Sequence, residues 1–306
     1  MKALLKTIPM VLMVLLWAGC KDDNSSISGG TNTGDDENDF VENQTWNETI
    51  NIVWDGTDAT ITGSADGVSI SSENGYVTIN STAKHIEYAV SGNGTGQLSL
   101  YSDYKFKLSL NGLTLSCTDG PAINNQCHKT CYVVLGSENT LSDGSTYAAS
   151  TEDRKAAFFS EGQICFSGSG TLNVTGNYKH AVASDDYIRL CEGTGDINLT
   201  AKVSDGLHSN DGIIINDGTL TINAVEEGIQ CDTSSIYISG GAINITSSSD
   251  KGILAYGDIE IAGGNTYITS KAKCIKSKSN LIVSNGVITA ICTGEATNSG
   301  GGPRGG

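Results

Sequence analysis

GLHSNDGIIINDGTLTINAVEE, residues 206–227, runs into GIQCDTSSIYISGGAINITSSSDK, residues 228–251, and then into GILAYGDIEIAGGNTYITSKAK, residues 252–273. Each stretch opens on glycine and an apolar residue. Each then carries short alternating runs of Ile, Leu, Val and Thr, divided by Gly, Asn, Asp and Ser. Alternation of this kind is the mark of strands, and no run has the length or the 3.6-residue period of a helix. Working outward, the same small-then-apolar anchor returns at Ala157, Ala181, Gly206, Gly228, Gly252, Cys274 and Ala296, with spacings of 22 to 25 residues. A period of that length built from strands and turns means a stacked solenoid. Three brief strands and three turns fill one coil, so the expected fold is all-β: a right-handed parallel β-helix, its hand following the usual crossover chirality.

The chain ends frame this array. Two lysines and an apolar run up to Trp17 read as a signal peptide over residues 1–19. The stretch LWAGC resembles a lipobox, which makes Cys20 the expected lipidation site. One departure is Trp17 three places before Cys20, where Leu is usual. The Lys21-Asp22-Asp23-Asn24 that follows resembles an acidic sorting tag, so the expectation is an outer-membrane lipoprotein exposed at the cell surface. Residues 20–45, almost free of apolar side chains, read as a flexible acidic tether. Residues 46–120 have the strand texture with poorer periodicity and read as an N-terminal cap with irregular coils. Residues 121–297 hold the regular coils, with an inserted loop at roughly 139–155, and 298–306 are a Gly-rich tail.

With 34 acidic against 18 basic residues, the net charge of −16 argues against nucleic acid as a partner. Of nine cysteines, Cys127 and Cys131 in CHKTC lack the CxxC spacing of zinc or redox sites. Buried packing or a structural disulfide suits them better, and an exported chain permits disulfides.

LSLNGLTLSCTDGPAINNQ at 108–126, VVLGSENTLSDGS at 133–145 and the Asp-Gly coils that follow resemble the secreted carbohydrate-binding β-helix family, a pectate-lyase-like fold. The resemblance spans nearly everything past the tether. It implies binding of cellulose- or polygalacturonate-like chains, with calcium, and no catalysis.

Strand alternation then distributes the side chains. Behind each anchor Phe158, Val182, Leu207, Ile229, Ile253 and Ile275 point inward. The outward pairs are Phe159/Glu161, Ala183/Asp185, His208/Asn210, Gln230/Asp232, Leu254/Tyr256 and Lys276/Lys278, two ladders on one flat face. Tyr256 offers a ring to a sugar face, and Lys276 and Lys278 can pair with uronate carboxylates. With Lys251, Lys273, His208 and Gln230 they make the expected ligand-binding set. Just before the anchors, Asp205, Glu226, Glu227 and Asp250 crowd carboxylates from successive coils, the expected calcium site. The alternative there is a salt-bridge ladder through Lys251 and Lys273, and Asp185, Asn210 and Asp232 form a weaker calcium candidate.

The functional expectation is a non-catalytic surface protein that binds an extended, acidic polysaccharide. A flat face suits a chain better than a small molecule. The runner-up is a calcium-dependent polysaccharide lyase, with Lys251, Lys273 or Arg189 as the base. A structural surface protein or adhesin ranks last.

Overall fold

The alternating runs become strands because every second residue finds an apolar interior. In the coil that follows His180, the three strands are His180–Ser184, Tyr187–Leu190 and Asp196–Ala201. The next coil repeats them as Leu207–Ser209, Gly212–Ile215 and Thr219–Ala224. The computed structural model describes residues 36–294, and in it about nine such coils stack as a parallel β-helix. The signal peptide, Cys20, the tether up to residue 35, Ala296 and the tail lie outside the described residues.

First strands pair only with first strands, so one inward column runs Val182, Leu207, Ile229, Ile253, Ile275 in unbroken register. These first strands form a ten-stranded sheet. Second and third strands form the other walls, joined into one sheet because Ile86–Thr95 and Phe106–Ser116 run through the corner between them. Fully burying each Ile or Leu side chain of such a column contributes about 1.5–3 kcal/mol, and the columns touch in one continuous core.

The anchors are small for a steric reason. A Cβ on Gly206, Gly228 or Gly252 would lie 2.2 Å from the Cγ2 of Ile222, Ile245 or Ile268 on the third strand of the same coil. Those isoleucines form one register column that ends at Ala290. In that last coil the anchor is Cys274. Size on one wall trades against size on the other.

The N-terminal end is capped. Asp58–Thr62 turns back antiparallel on Glu48–Gly56, and Val68–Glu73 does the same on Tyr76–Ser81. At the other end, Leu281, Val283 and Val287 of the last described coil are exposed.

Two stretches of chain lie outside the coils and against them. The first corrects the boundary drawn for the tether. Glu37–Asp39 and Val41–Asn43 are short 3-10 turns, and Phe40, Val41 and Trp46 pack on Tyr132, Cys165, Tyr187 and Cys191. Asp39 is buried, with its Oδ2 2.9 Å from Arg189 Nε, and Tyr187 donates its hydroxyl to the same carboxylate. The second is the inserted loop, which starts later than the sequence suggests. Glu138–Ser142 is a strand of the helix, and the insertion covers residues 143–155. The eight cysteines among the described residues are all free thiols, and six of them are buried.

Candidate functional site

Outward residues of the first-strand sheet line up coil by coil: Asn124, Phe159, Ala183, His208, Gln230, Leu254, Lys276. The sequence places all of them but Asn124 on one flat face, and their register is continuous. Their surroundings are not uniform, because the inserted loop lies over the first part of the face. Glu152 accepts hydrogen bonds from Tyr101 Oη at 2.5 Å and Asn124 Nδ2 at 3.0 Å. Lys155 forms an ion pair with Asp185, and Asp185 accepts from Asn210 Nδ2 at 3.1 Å. Phe159 and Ala183 therefore point out of the helix and are still fully buried.

The middle of the face is closed by its own side chains. His208, expected to meet ligand, is buried; its Nδ1 lies 2.9 Å from Asp205 Oδ2 and its Nε2 3.3 Å from Asp232 Oδ2. Gln230 donates to Asp232 Oδ1 at 2.6 Å. On the corner just before the strands, Asp205 is the centre of a cluster. Its Oδ2 also lies 3.2 Å from His180 Nδ1, and its Oδ1 accepts the Glu227 backbone N–H at 3.1 Å. Although burial alone would raise the Asp205 pKa, hydrogen bonds and charge from the two histidines win and hold it far below the carboxylate range.

The four acids expected to hold calcium divide. Asp205, Glu226 and Glu227 bring carboxylate oxygens within 4.8 Å of one another. Asp250 is drawn to Lys251 Nζ at 2.7 Å, and the same ammonium holds Glu227 at 2.8 Å. Glu226 accepts from Ser204 Oγ at 2.5 Å. Calcium takes six to eight oxygens. Here each carboxylate is already committed to an imidazole, an ammonium, a hydroxyl or a backbone N–H, so this set does not fit a calcium cage. The weaker candidate, Asp185 with Asn210 and Asp232, is likewise tied to Lys155, Gln230 and His208. The salt-bridge alternative describes Lys251; Lys273 is simply exposed.

From coil 252 onward the face opens. Tyr256 is 49% exposed, and Lys278 Nζ stands 5.0 Å from its ring centre. Lys276 shares the patch, and the Lys278 charge beside it holds its pKa below the ordinary lysine value. Two ammonium groups that raise each other's energy, next to an exposed ring, favour an anion that carries an apolar face.

Sequence reasoning placed His208 on the outward strand ladder and did not join it to His180. The available signal was the i, i+3 spacing of Asp205 and His208, which lets one carboxylate reach both rings. It also gave no sign of a polar groove of about 570 Å³ at the capped end, lined by Asn80, Ser81, Tyr101, Ser102, Gln126 and His128 among others.

Comparison with known proteins agrees with this architecture. No curated protein matches the chain. Among solved structures, a polysaccharide lyase-like protein from C. thermocellum, in a gadolinium derivative, superposes with a TM-score of 0.55 at 24% identity, covering 82% of this chain and 98% of that one. At that identity the likeness shows a shared fold. The family model described as carbohydrate-binding domain-containing protein matches residues 73–302, from the capping hairpin through the last coil. The chain belongs to the carbohydrate-binding domain-containing protein family.

Proposed function

We propose that the protein is a non-catalytic, lipid-anchored surface protein that binds an extended acidic polysaccharide of the polygalacturonate kind. The bare end of the first-strand sheet receives the chain, with Tyr256 under a sugar ring and Lys276 and Lys278 on its carboxylates. The observation that carries this reading is the pairing of Tyr256 with two mutually repelling lysines on an otherwise acidic protein. Lys273 lies exposed on the neighbouring turn and extends the cationic patch. Anchoring through Cys20 would place this face at the cell exterior.

A lyase is the less favoured reading, although the structural neighbour is called polysaccharide lyase-like. Elimination needs a base that is neutral beside the substrate proton. Lys251 is held charged: burial alone would lower its pKa, but the hydrogen bonds it donates to Asp250 and Glu227 raise it. Arg189 is buried beneath Phe40 and Asp39.

The test is to incubate the secreted protein, starting after Cys20, with insoluble polygalacturonate. Depletion onto the polymer is followed together with ultraviolet absorbance of an unsaturated product. Retention without absorbance is expected, and Lys276→Ala with Lys278→Ala should weaken it roughly tenfold or more, on the order of two charge-assisted contacts. Rising absorbance would make the protein an enzyme. Retention unchanged in the double variant would move the site elsewhere.

A further inference from the structure

His180, Asp205 and His208 are 1%, 2% and 5% exposed, and their rings stack at 4.2 Å. Two imidazoles and one carboxylate this deep demand a full set of hydrogen bonds, and no assignment of protons supplies it. The Asp205 backbone N–H points at His180 Nδ1 from 3.3 Å, which asks that nitrogen to accept. Asp205 Oδ2, 3.2 Å from the same nitrogen, asks it to donate. The other nitrogen, His180 Nε2, is buried without a hydrogen-bond partner. If Nδ1 carries the proton, Nε2 is a stranded acceptor. If Nε2 carries it, two lone pairs face each other across 3.2 Å, the gap an ion on Nδ1 and Oδ2 would fill, and the Nε2 donor stays without a partner with or without the ion.

We propose that His180, Asp205 and His208 bind one divalent ion of the zinc class. The donor set is the reason: two neutral imidazoles and one carboxylate suit zinc or its first-row neighbours and are poor ligands for calcium. Their spacing agrees. Zinc bonds of about 2.0–2.1 Å in a tetrahedron set ligand atoms roughly 3.3 Å apart, and the two nitrogens lie 3.2 and 2.9 Å from Asp205 Oδ2. All three ligand atoms fall within 4.8 Å of one another. The rings must splay from their stack to aim both lone pairs at one ion. His208 has the freedom to do so, because its outer nitrogen is tied only to Asp232 near the surface. A water molecule completes the fourth position. The ion would tie coil 181 to coil 206 beneath the strand face, the place for which the sequence suggested calcium.

The experiment uses the secreted protein after chelator treatment, titrated with Zn²⁺ or Ca²⁺ in a calorimeter and melted in each. One equivalent of Zn²⁺ should bind and raise the melting temperature, while Ca²⁺ in millimolar excess should not. Co²⁺ should give the visible absorption band of tetrahedral coordination. His208→Gln, near the surface, should keep the fold and lose both the cobalt band and roughly tenfold or more in zinc affinity. His180→Gln tests the deeper ligand, with the His208 variant standing if it does not fold. No zinc-dependent rise in the parent overturns the proposal. So does zinc binding that survives in His208→Gln and Asp205→Asn, since it would then belong to the free thiols.

Discussion

Ala183 and Lys276 hold the same place in their coils, in one register column of one sheet, yet their surroundings differ. Around Ala183 the face is sealed. Residues 143–155 lie across it, Lys155 pairs with Asp185, and Phe159 is fully buried though it points outward. On the adjoining wall, residues 36–46 cover Tyr132, Cys165 and Arg189 in the same stretch of coils. Around Lys276 the face is more open: Tyr256 stands half exposed and Lys276 is partly exposed, although Leu254 beside it in the column is buried. A repeat thus gives equivalent backbone positions, and the chain outside the repeat decides which of them meet a ligand. Binding is expected where the covering stops.

The largest effect expected from breaking this contrast is at Arg189. Burial pushes the Asp39 carboxyl pKa up, against the opposing pull of Tyr187 and Arg189. Arg189→Leu removes the guanidinium and leaves a buried carboxylate beside Tyr187, at a cost of about 3–5 kcal/mol. A thermal or urea melt should show it, with residues 36–46 becoming sensitive to protease before the coils unfold. A loss below about 1 kcal/mol would mean that this segment is not held by the ion pair.

Much of the helix was legible because its cause is local. The Gly206, Gly228 and Gly252 anchors, the inward column from Val182 to Ile275 and the flat outward ladder all follow from alternation and period. The coverings were not legible, since they depend on contacts that no period announces. Asp39 meets Arg189 across 150 residues, and nothing in DENDFVEN distinguishes a docked segment from a tether. The inserted loop could be seen as a loop, but not that Glu152 would reach Tyr101 and Asn124. At the candidate site, Tyr256, Lys276 and Lys278 could be grouped from their ladder positions. His208 could not be assigned to the interior, because its partner Asp205 sits on the turn and belongs to another ladder.

Inside, the covered and bare coils share one rule, so a core change in a bare coil sharpens the comparison. Gly252→Ala sets a Cβ 2.2 Å from Ile268 Cγ2 and 2.6 Å from the Cys274 carbonyl oxygen. Overpacking of this kind costs about 1–3 kcal/mol. Adding Ile268→Ala should return part of the loss, as the chain itself combines Cys274 with Ala290 in the next coil. If the double variant melts as low as the sum of the two single changes, side-chain size across the core is not what fixes the anchors.

The smallest effect concerns a partly buried acid at the corner between the two covered walls. Asp186 lies on the corner between the two sealed walls, and burial raises its carboxyl pKa to about 6. Asp211 and Asp39 push in the same direction, while the Tyr187 backbone N–H and the Gln163 side chain pull the other way. A carboxyl whose folded pKa lies above its unfolded value of about 3.8 binds protons preferentially in the native state between those two limits. Its charge therefore costs stability above pH 6, and the cost is relieved as the pH falls towards 4. Asp186→Asn keeps an oxygen for the Tyr187 N–H, 2.9 Å away, and removes the charge. It should stabilise the protein at pH 7.5 by roughly 1–2 kcal/mol, a figure reduced for solvent screening at this partly exposed site. The gap between variant and parent should close by about pH 4. A gap that stays constant across that range would show that Asp186 is solvated, and that the covering by residues 36–46 does not extend to this corner.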